Sequence, residues 1–91
     1  MSGTVPTIGR IVHYRLDAHD AARITHRRTE AGIPGNAVQP GDTYPLIITR
    51  VWGGGSGVNG QVLLDGPDTL WVTSVTEGEG IRTWSWPMRQ G

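Results

Sequence analysis

Several short stretches of this chain alternate apolar residues with polar or small ones, which is the pattern of half-buried β-strands. In one such stretch Val58, Gly60, Val62 and Leu64 alternate with Asn59, Gln61 and Leu63. The stretch 46–52 begins with a nearly continuous apolar run, which favours a central strand. Glycine- and proline-rich segments between these stretches predict turns. Strands are therefore expected over residues 8–16, 46–52, 58–64, 69–75 and 83–86.

One helix is predicted between the first two strands. Asp17 and Asp20 have the spacing of the N-cap and N3 residues of a capping box. Gly32 is a suitable residue to end the helix, and Pro34 cannot continue it. The positions that would share one face of this helix are Ala21, Ile24, Arg28 and Ala31. Such a thin apolar stripe can lie on a β-structure but cannot build a core alone.

The order of these elements predicts a mainly β fold, a small SH3-like or OB-like barrel of about five strands with one short helix inserted after the first strand. The 91 residues allow one domain, expected to span 1–91. No apolar run approaches the ~20 residues of a membrane span, and the first residues lack the features of a secretory signal. We therefore expect no membrane partner.

The charge balance limits the classes of partner. Eight basic residues, all arginine, balance eight acidic ones, so the formal net charge is zero. A protein that coats duplex DNA normally carries a basic excess, and we expect no duplex DNA partner. A chain this small buries little apolar area by itself, which favours a homo-oligomer.

Candidate catalytic residues are few. There is no cysteine, which excludes disulfides and thiol catalysis. His19 and His26 share a face of the predicted helix, and Glu30, four residues beyond His26, could be a second ligand. A lone His–Glu pair on an exposed helix is far more often solvated surface than a metal site. Ser56 lies in a glycine-rich loop followed by a strand, whereas a nucleophile elbow leads into a helix. The sequence therefore predicts a protein that is not an enzyme, with no catalytic residue, no metal and no cofactor.

The aromatic residues point to a binding surface. All four tryptophans lie in the second half of the chain, and phenylalanine is absent. Trp71 is predicted to face the core. Trp84 and Trp86 are two residues apart on a strand and should share one face. Two interpretations of that pair stay open: it covers the core or a subunit interface, or it stacks a ligand such as a base.

Polar side chains that suit a small, partly charged ligand accompany these aromatics. Asn59 and Gln61 can each read a base edge through a donor and an acceptor. The planar guanidinium group of arginine suits phosphates, and threonine supplies hydroxyl groups. The predicted ligand-binding residues are Arg10, Tyr14, Arg50, Trp52, Asn59, Gln61, Thr73, Arg82, Trp84 and Trp86.

Two motifs carry a resemblance that covers nearly all of the chain. They are Gly-Arg-Ile-Val-His-Tyr at 9–14 and Thr-Trp-x-Trp-Pro at 83–87, where x is Ser85. With them the chain resembles small, mostly uncharacterised proteins of actinobacterial phages and prophages, in which histidine usually stands at the position of Ser85. The resemblance implies a phage-made accessory protein in the host cytoplasm or a minor virion component, and it implies no mechanism.

Two functional hypotheses follow. The first is a phage sponge, a non-catalytic oligomer that sequesters a nucleotide-derived immune signal, of the cyclic oligonucleotide or cyclic ADP-ribose type, and so blocks host defence. The alternative is a structural or interaction module, either a minor virion component or an inhibitor of a host protein. That alternative predicts a flat apolar patch with tryptophan at its centre. Binding of single-stranded nucleic acid is disfavoured by the zero net charge.

Overall fold

The computed structural model describes residues 5–55 and 57–87, which form one helix and five strands. All six elements occur near the predicted positions, but β1 and β5 are shorter than expected and β2 begins earlier, at Thr43. Gly9 adopts a φ of 92° and sits in a turn, so β1 begins at Ile11 instead of residue 8. The elements are β1 (Ile11–Arg15), α1 (Ala18–Ala31), β2 (Thr43–Val51), β3 (Val58–Leu63), β4 (Thr69–Val75) and β5 (Trp84–Ser85).

The strands pair antiparallel in one sheet of order β4-β3-β2-β1-β5. This confirms the mainly β fold with a helix after the first strand and the central position of β2. The backbone after β4 also reaches the opposite edge of the sheet, where Trp84 N donates to Thr76 O (3.1 Å) and Gly78 N donates to Trp84 O (2.9 Å). This contact is a single bridge, whereas a barrel of the predicted type would pair the edge strands along their length.

The ends of α1 are fixed as the sequence predicts. Asp20 N donates to Asp17 Oδ1 (2.7 Å) and Asp17 N donates to Asp20 Oδ2 (3.1 Å), which completes the capping box. Gly32 ends the helix in the left-handed conformation, with a φ of 66°. No helix within residues 5–55 or 57–87 is long and apolar enough to cross a membrane.

The core lies on the inner face of the sheet, beneath α1. In strand β3 the predicted inward positions Val58, Gly60 and Val62 are buried, and Asn59 is buried as well. A Cβ on Gly60 would lie 2.5 Å from the carbonyl oxygen of Ile47, so only glycine fits at this point. The buried apolar cluster comprises Val12, Tyr14, Leu16, Ile24, Leu46, Ile48, Val58, Val62, Leu64, Leu70, Val72, Val75 and Trp84.

Arg28 ties α1 to the turn before β4. Its Nε and Nη2 each donate to one oxygen of Asp68 at 2.9 Å, and its Nη1 donates to Asn36 O at 2.7 Å. The hydrogen bond from Arg28 is the main cause that lowers the pKa of Asp68. The space around the guanidinium is tight, because a Cβ on Gly35 or Gly66 would lie within 3 Å of it. Arg28, predicted to share a helix face with Ala21 and Ile24, thus forms an ion pair with the turn before β4.

Candidate functional site

An open cleft beside β5, here called the Trp86 cleft, has a volume of ≈ 510 Å³. Its described lining residues are Arg15, Thr43, Glu79, Ser85 and Trp86. The strand register explains this assembly, because Arg15 pairs with Thr43 across β1 and β2 while β5 pairs with β1 on the other side. The volume falls in the range of ligand sites, roughly 300–1,000 Å³. One indole, one guanidinium, one carboxylate and two hydroxyls together suit a small polar ligand that contains a flat ring.

Four of these five residues were not predicted from the sequence. Arg15, Thr43 and Ser85 become neighbours through pairing between strands distant in the chain. Glu79 sits in the turn 77–80, which the sequence shows only as a turn. Its backbone oxygen accepts a 2.7 Å hydrogen bond from Arg15 Nη1, which holds this turn at the cleft.

Trp86 is the predicted ligand residue that lines the cleft. Its indole is half-buried and meets the Trp84 ring edge to face, with centroids 5.5 Å apart and an interplanar angle of 89°. The guanidinium carbon of Arg10 lies 4.8 Å from the Trp86 centroid, within cation–π range. The ring contact confirms that the two tryptophans share one face.

Trp84 itself is not a ligand residue. It is 0% exposed and belongs to the core cluster, because it pairs with Tyr14 across β5 and β1 and both side chains point to the inner face. The prediction of a ligand contact at Trp84 is therefore wrong, and the core interpretation holds for this member of the pair.

A second arginine–tryptophan pair lies at the end of β2. The Arg50 guanidinium carbon is 4.2 Å from the ring centroid of Trp52, whose side chain is 40% exposed. Trp52 Nε1 donates to Asn59 Oδ1 (3.0 Å), which fixes the orientation of the indole. The same oxygen accepts from Ser74 N at 2.8 Å. The structure thus brings together three predicted ligand residues, Arg50, Trp52 and Asn59, and Asn59 orients the indole of Trp52.

Asn59 is buried, and the pairing of β3 with both neighbouring strands is irregular beside it. The extra residues of these irregularities lie in β2, at Thr49, and in β4, at 73–74, so β3 itself stays regular there. The amide oxygen of Asn59 already accepts two hydrogen bonds, so that oxygen is not available to read a base. Gln61 lies half-buried on the outer face of the sheet, away from both arginine–tryptophan pairs.

The two arginine–tryptophan pairs lie at the same end of the sheet. Ile48 N donates to Arg10 O (3.0 Å), which places Arg10 beside β2 only two positions before Arg50. Within residues 5–55 and 57–87, neither arginine forms an ion pair with a carboxylate. This end of the sheet therefore presents two cations whose N–H donors can meet an anion.

Tyr14 and Arg82 belong to a buried polar network around Asp20. Tyr14 OH donates to Asp20 Oδ2 at 2.6 Å, and both residues are 0% exposed. Burial, followed by the hydrogen bond to Asp20, raises the pKa of Tyr14 above its usual range. Arg82 Nη1 lies 3.7 Å from Asp20 Oδ1. The predicted ligand role of Tyr14 is wrong because no surface of the phenol is accessible, and the guanidinium of Arg82 faces the buried carboxylate.

The outer face of the sheet carries an apolar row. Ile11, Ile47, Gln61 and Trp71 lie side by side on four neighbouring strands. Trp71 is 55% exposed, so its predicted core position is wrong: the strand parity buries Leu70 and Val72 and turns Trp71 outward. Thr73 lies half-buried on this same face, remote in register from the Trp86 cleft.

The other candidates of the sequence are dispersed. His19, His26 and Glu30 are exposed on α1. Among the described residues, no group of three His, Asp or Glu side chains could hold a metal ion. Ser56 and residues 1–4, on which the nucleophile and signal-peptide considerations rested, lie outside the described residues.

Comparisons with protein-family models, with curated proteins and with solved structures found no match to this chain. The Trp86 cleft, with Arg10 stacked on its indole, is the place where predicted ligand residues, cationic groups and an open volume coincide.

Proposed function

We propose that this protein binds a nucleotide-derived small molecule in the Trp86 cleft and holds it without cleaving it. The observation that carries the proposal is the half-buried Trp86 indole in a cleft of ≈ 510 Å³ with two guanidinium groups beside it, those of Arg10 and Arg15. An aromatic platform stacks a base with roughly 1–3 kcal/mol, and arginine forks bind phosphate oxygens.

Retention of the ligand is part of the proposal, and the described lining residues offer one carboxylate and two hydroxyl groups but neither imidazole nor thiol. The resemblance to phage proteins supplies the biological setting. There the protein would sequester a cyclic oligonucleotide or a cyclic ADP-ribose isomer in the host cytoplasm and so suppress an immune response.

A thermal-shift panel with cyclic dinucleotides and cyclic ADP-ribose isomers tests this proposal. A ligand that binds only the folded state stabilises it by about 2.7 kcal/mol at a hundredfold excess over Kd, which is a readily measured rise in Tm. We expect Trp86→Ala to lose the rise and Trp71→Ala, which truncates an exposed indole elsewhere, to keep it. Heating the complex should release the ligand intact. Absence of any rise across the panel, or recovery of a cleaved product, would contradict the proposal.

A second candidate function, protein interaction, is favoured by the apolar outer face. Trp71, Ile11 and Leu63 are 55%, 52% and 37% exposed on that face. Exposed apolar and aromatic side chains gathered on one face are typical of an interface. The partner that this candidate commits to is a second copy of the chain, because a net charge of zero creates no overall repulsion between copies.

Light scattering across a concentration series tests the second candidate. It predicts a dimer that Trp71→Ala dissociates and Trp86→Ala leaves intact. A monomer at all concentrations would reject self-association through this face, and nucleotide binding would be unaffected by that result.

A further inference from the structure

We propose that the Trp86 cleft selects guanine among the bases, with the carboxylate of Glu79 accepting hydrogen bonds from the base's N1–H and 2-amino groups. This inference rests on the proposed function, since it assigns the base that the cleft would hold. It makes Glu79 a specificity-determining residue, a role that nothing in the sequence pattern assigned to it.

The turn that carries Glu79 is fixed at several points. Arg15 Nη1 holds the Glu79 carbonyl oxygen at 2.7 Å, and the neighbouring Gly78 N bonds to Trp84 O at 2.9 Å. Thr83 Oγ1 donates to Gly80 O at 2.6 Å and closes the other side of the turn. The Glu79 backbone is therefore anchored to β1 and β5, the strands that form the wall of the cleft.

The carboxylate of Glu79 is available for a ligand. Within the described part of the chain it forms no ion pair, and it is the one carboxylate among the described lining residues. A carboxylate repels phosphate, so in a nucleotide site it must face groups that donate hydrogen bonds. Ionised carboxylates accept only, and they bind two parallel N–H donors particularly well.

Guanine is the base that meets this requirement. Its Watson–Crick edge presents two adjacent donors, N1–H and the 2-amino group, to a single carboxylate. Adenine presents an unprotonated N1 at that edge, whose lone pair would face the negative oxygen. With the ring on Trp86, the phosphates are directed toward Arg10, whose guanidinium carbon lies 4.8 Å from the ring centroid. Arg15 instead holds the backbone of the turn that carries Glu79.

Calorimetric titration with pairs of nucleotides that differ in the base and share the same phosphate chemistry tests the assignment. The probes are cyclic GMP against cyclic AMP and cyclic di-GMP against cyclic di-AMP, with cyclic IMP as the analogue that lacks only the 2-amino group. We expect the guanine member to bind about 10- to 100-fold more tightly than the adenine member, as a bidentate contact discriminates. Cyclic IMP should fall between them.

The variant Glu79→Gln should bring the two members of each pair within about threefold, because the amide replaces one acceptor by a donor. Glu30→Gln, which removes the same charge from the exposed side of α1, should keep the full preference. Circular dichroism of both variants checks that they fold.

The outcomes separate the two proposals. Equal affinity for the guanine and adenine nucleotides of each pair, or a guanine preference that survives Glu79→Gln, would overturn the guanine assignment. Neither result would contradict nucleotide binding itself. No binding of any of these probes to the wild-type protein would overturn the guanine assignment and the proposed function together.

Discussion

Replacing Arg28 by methionine should destabilise the fold strongly at neutral pH. The substitution removes two 2.9 Å hydrogen bonds to Asp68 and one 2.7 Å hydrogen bond to Asn36 O, while methionine keeps much of the side-chain volume. The side chains of Arg28 and Asp68 are only 10% and 7% exposed, so the carboxylate left behind is poorly hydrated. What remains near it is Arg27 Nη2 at 3.5 Å.

The expected cost at neutral pH is about 3 kcal/mol, since hydrogen bonds to charged groups contribute roughly 1.5–3 kcal/mol each and Arg27 compensates in part. For a chain of this length, Tm should fall by roughly 12–24 °C. The Arg28 contact lowers the pKa of Asp68, so its stabilisation is complete above the usual pKa of an unfolded aspartate, about 4. It is lost as the pH falls further, through the lowered folded-state pKa.

Urea unfolding followed by circular dichroism at pH 7 and at several values below pH 4 measures both effects. Arg23→Met, on an exposed position of α1, is the matched control and should change stability by less than about 0.5 kcal/mol. The reasoning is refuted if Arg28→Met has the same free energy of unfolding as the Arg23→Met control at pH 7. It is also refuted if the loss of unfolding free energy relative to wild type does not shrink on acidification.

Three further predictions concern the core. Gly60→Ala should cost about 3 kcal/mol in urea unfolding because its Cβ would collide with the backbone of β2, whereas Gly80→Ala, which has open space, should be nearly neutral. The free energy of unfolding should decline above pH of about 10, because the raised pKa of Tyr14 keeps its phenol protonated in the folded state while the unfolded phenol ionises. Tyr14→Phe should weaken that decline in a pH series of urea midpoints. Trp84→Ala should cost about 3–5 kcal/mol and Trp71→Ala below 1 kcal/mol, and similar losses by calorimetry would contradict their opposite burial.

Local signals in the sequence predicted the elements well. The capping box of Asp17 and Asp20 and the left-handed Gly32 set both ends of α1, because capping depends on residues within one turn of each other. The alternation in β3 likewise predicted which of its apolar side chains are buried. These features require no knowledge of distant contacts.

The candidate site could not be predicted as fully because it depends on pairing between distant strands. Trp71 lies between Leu70 and Val72, which are buried and turn it outward, whereas Trp84 lies between Thr83 and Ser85 and points inward. Asn59 is buried beside an irregular strand register, which the alternating pattern of β3 does not indicate. The Arg28–Asp68 pair spans 40 positions, and no local spacing indicates it.

The central claim, that Trp86 provides the ligand platform, is tested most directly by an NMR titration of the tryptophan indole N–H signals, assigned by single Trp→Phe variants. On addition of cyclic di-GMP, we predict a large shift of the Trp86 signal, with the buried Trp84 responding weakly through ring contact and Trp71 unchanged. A titration that shifts Trp71 and leaves Trp86 in place would contradict the account and move the binding surface to the outer face of the sheet.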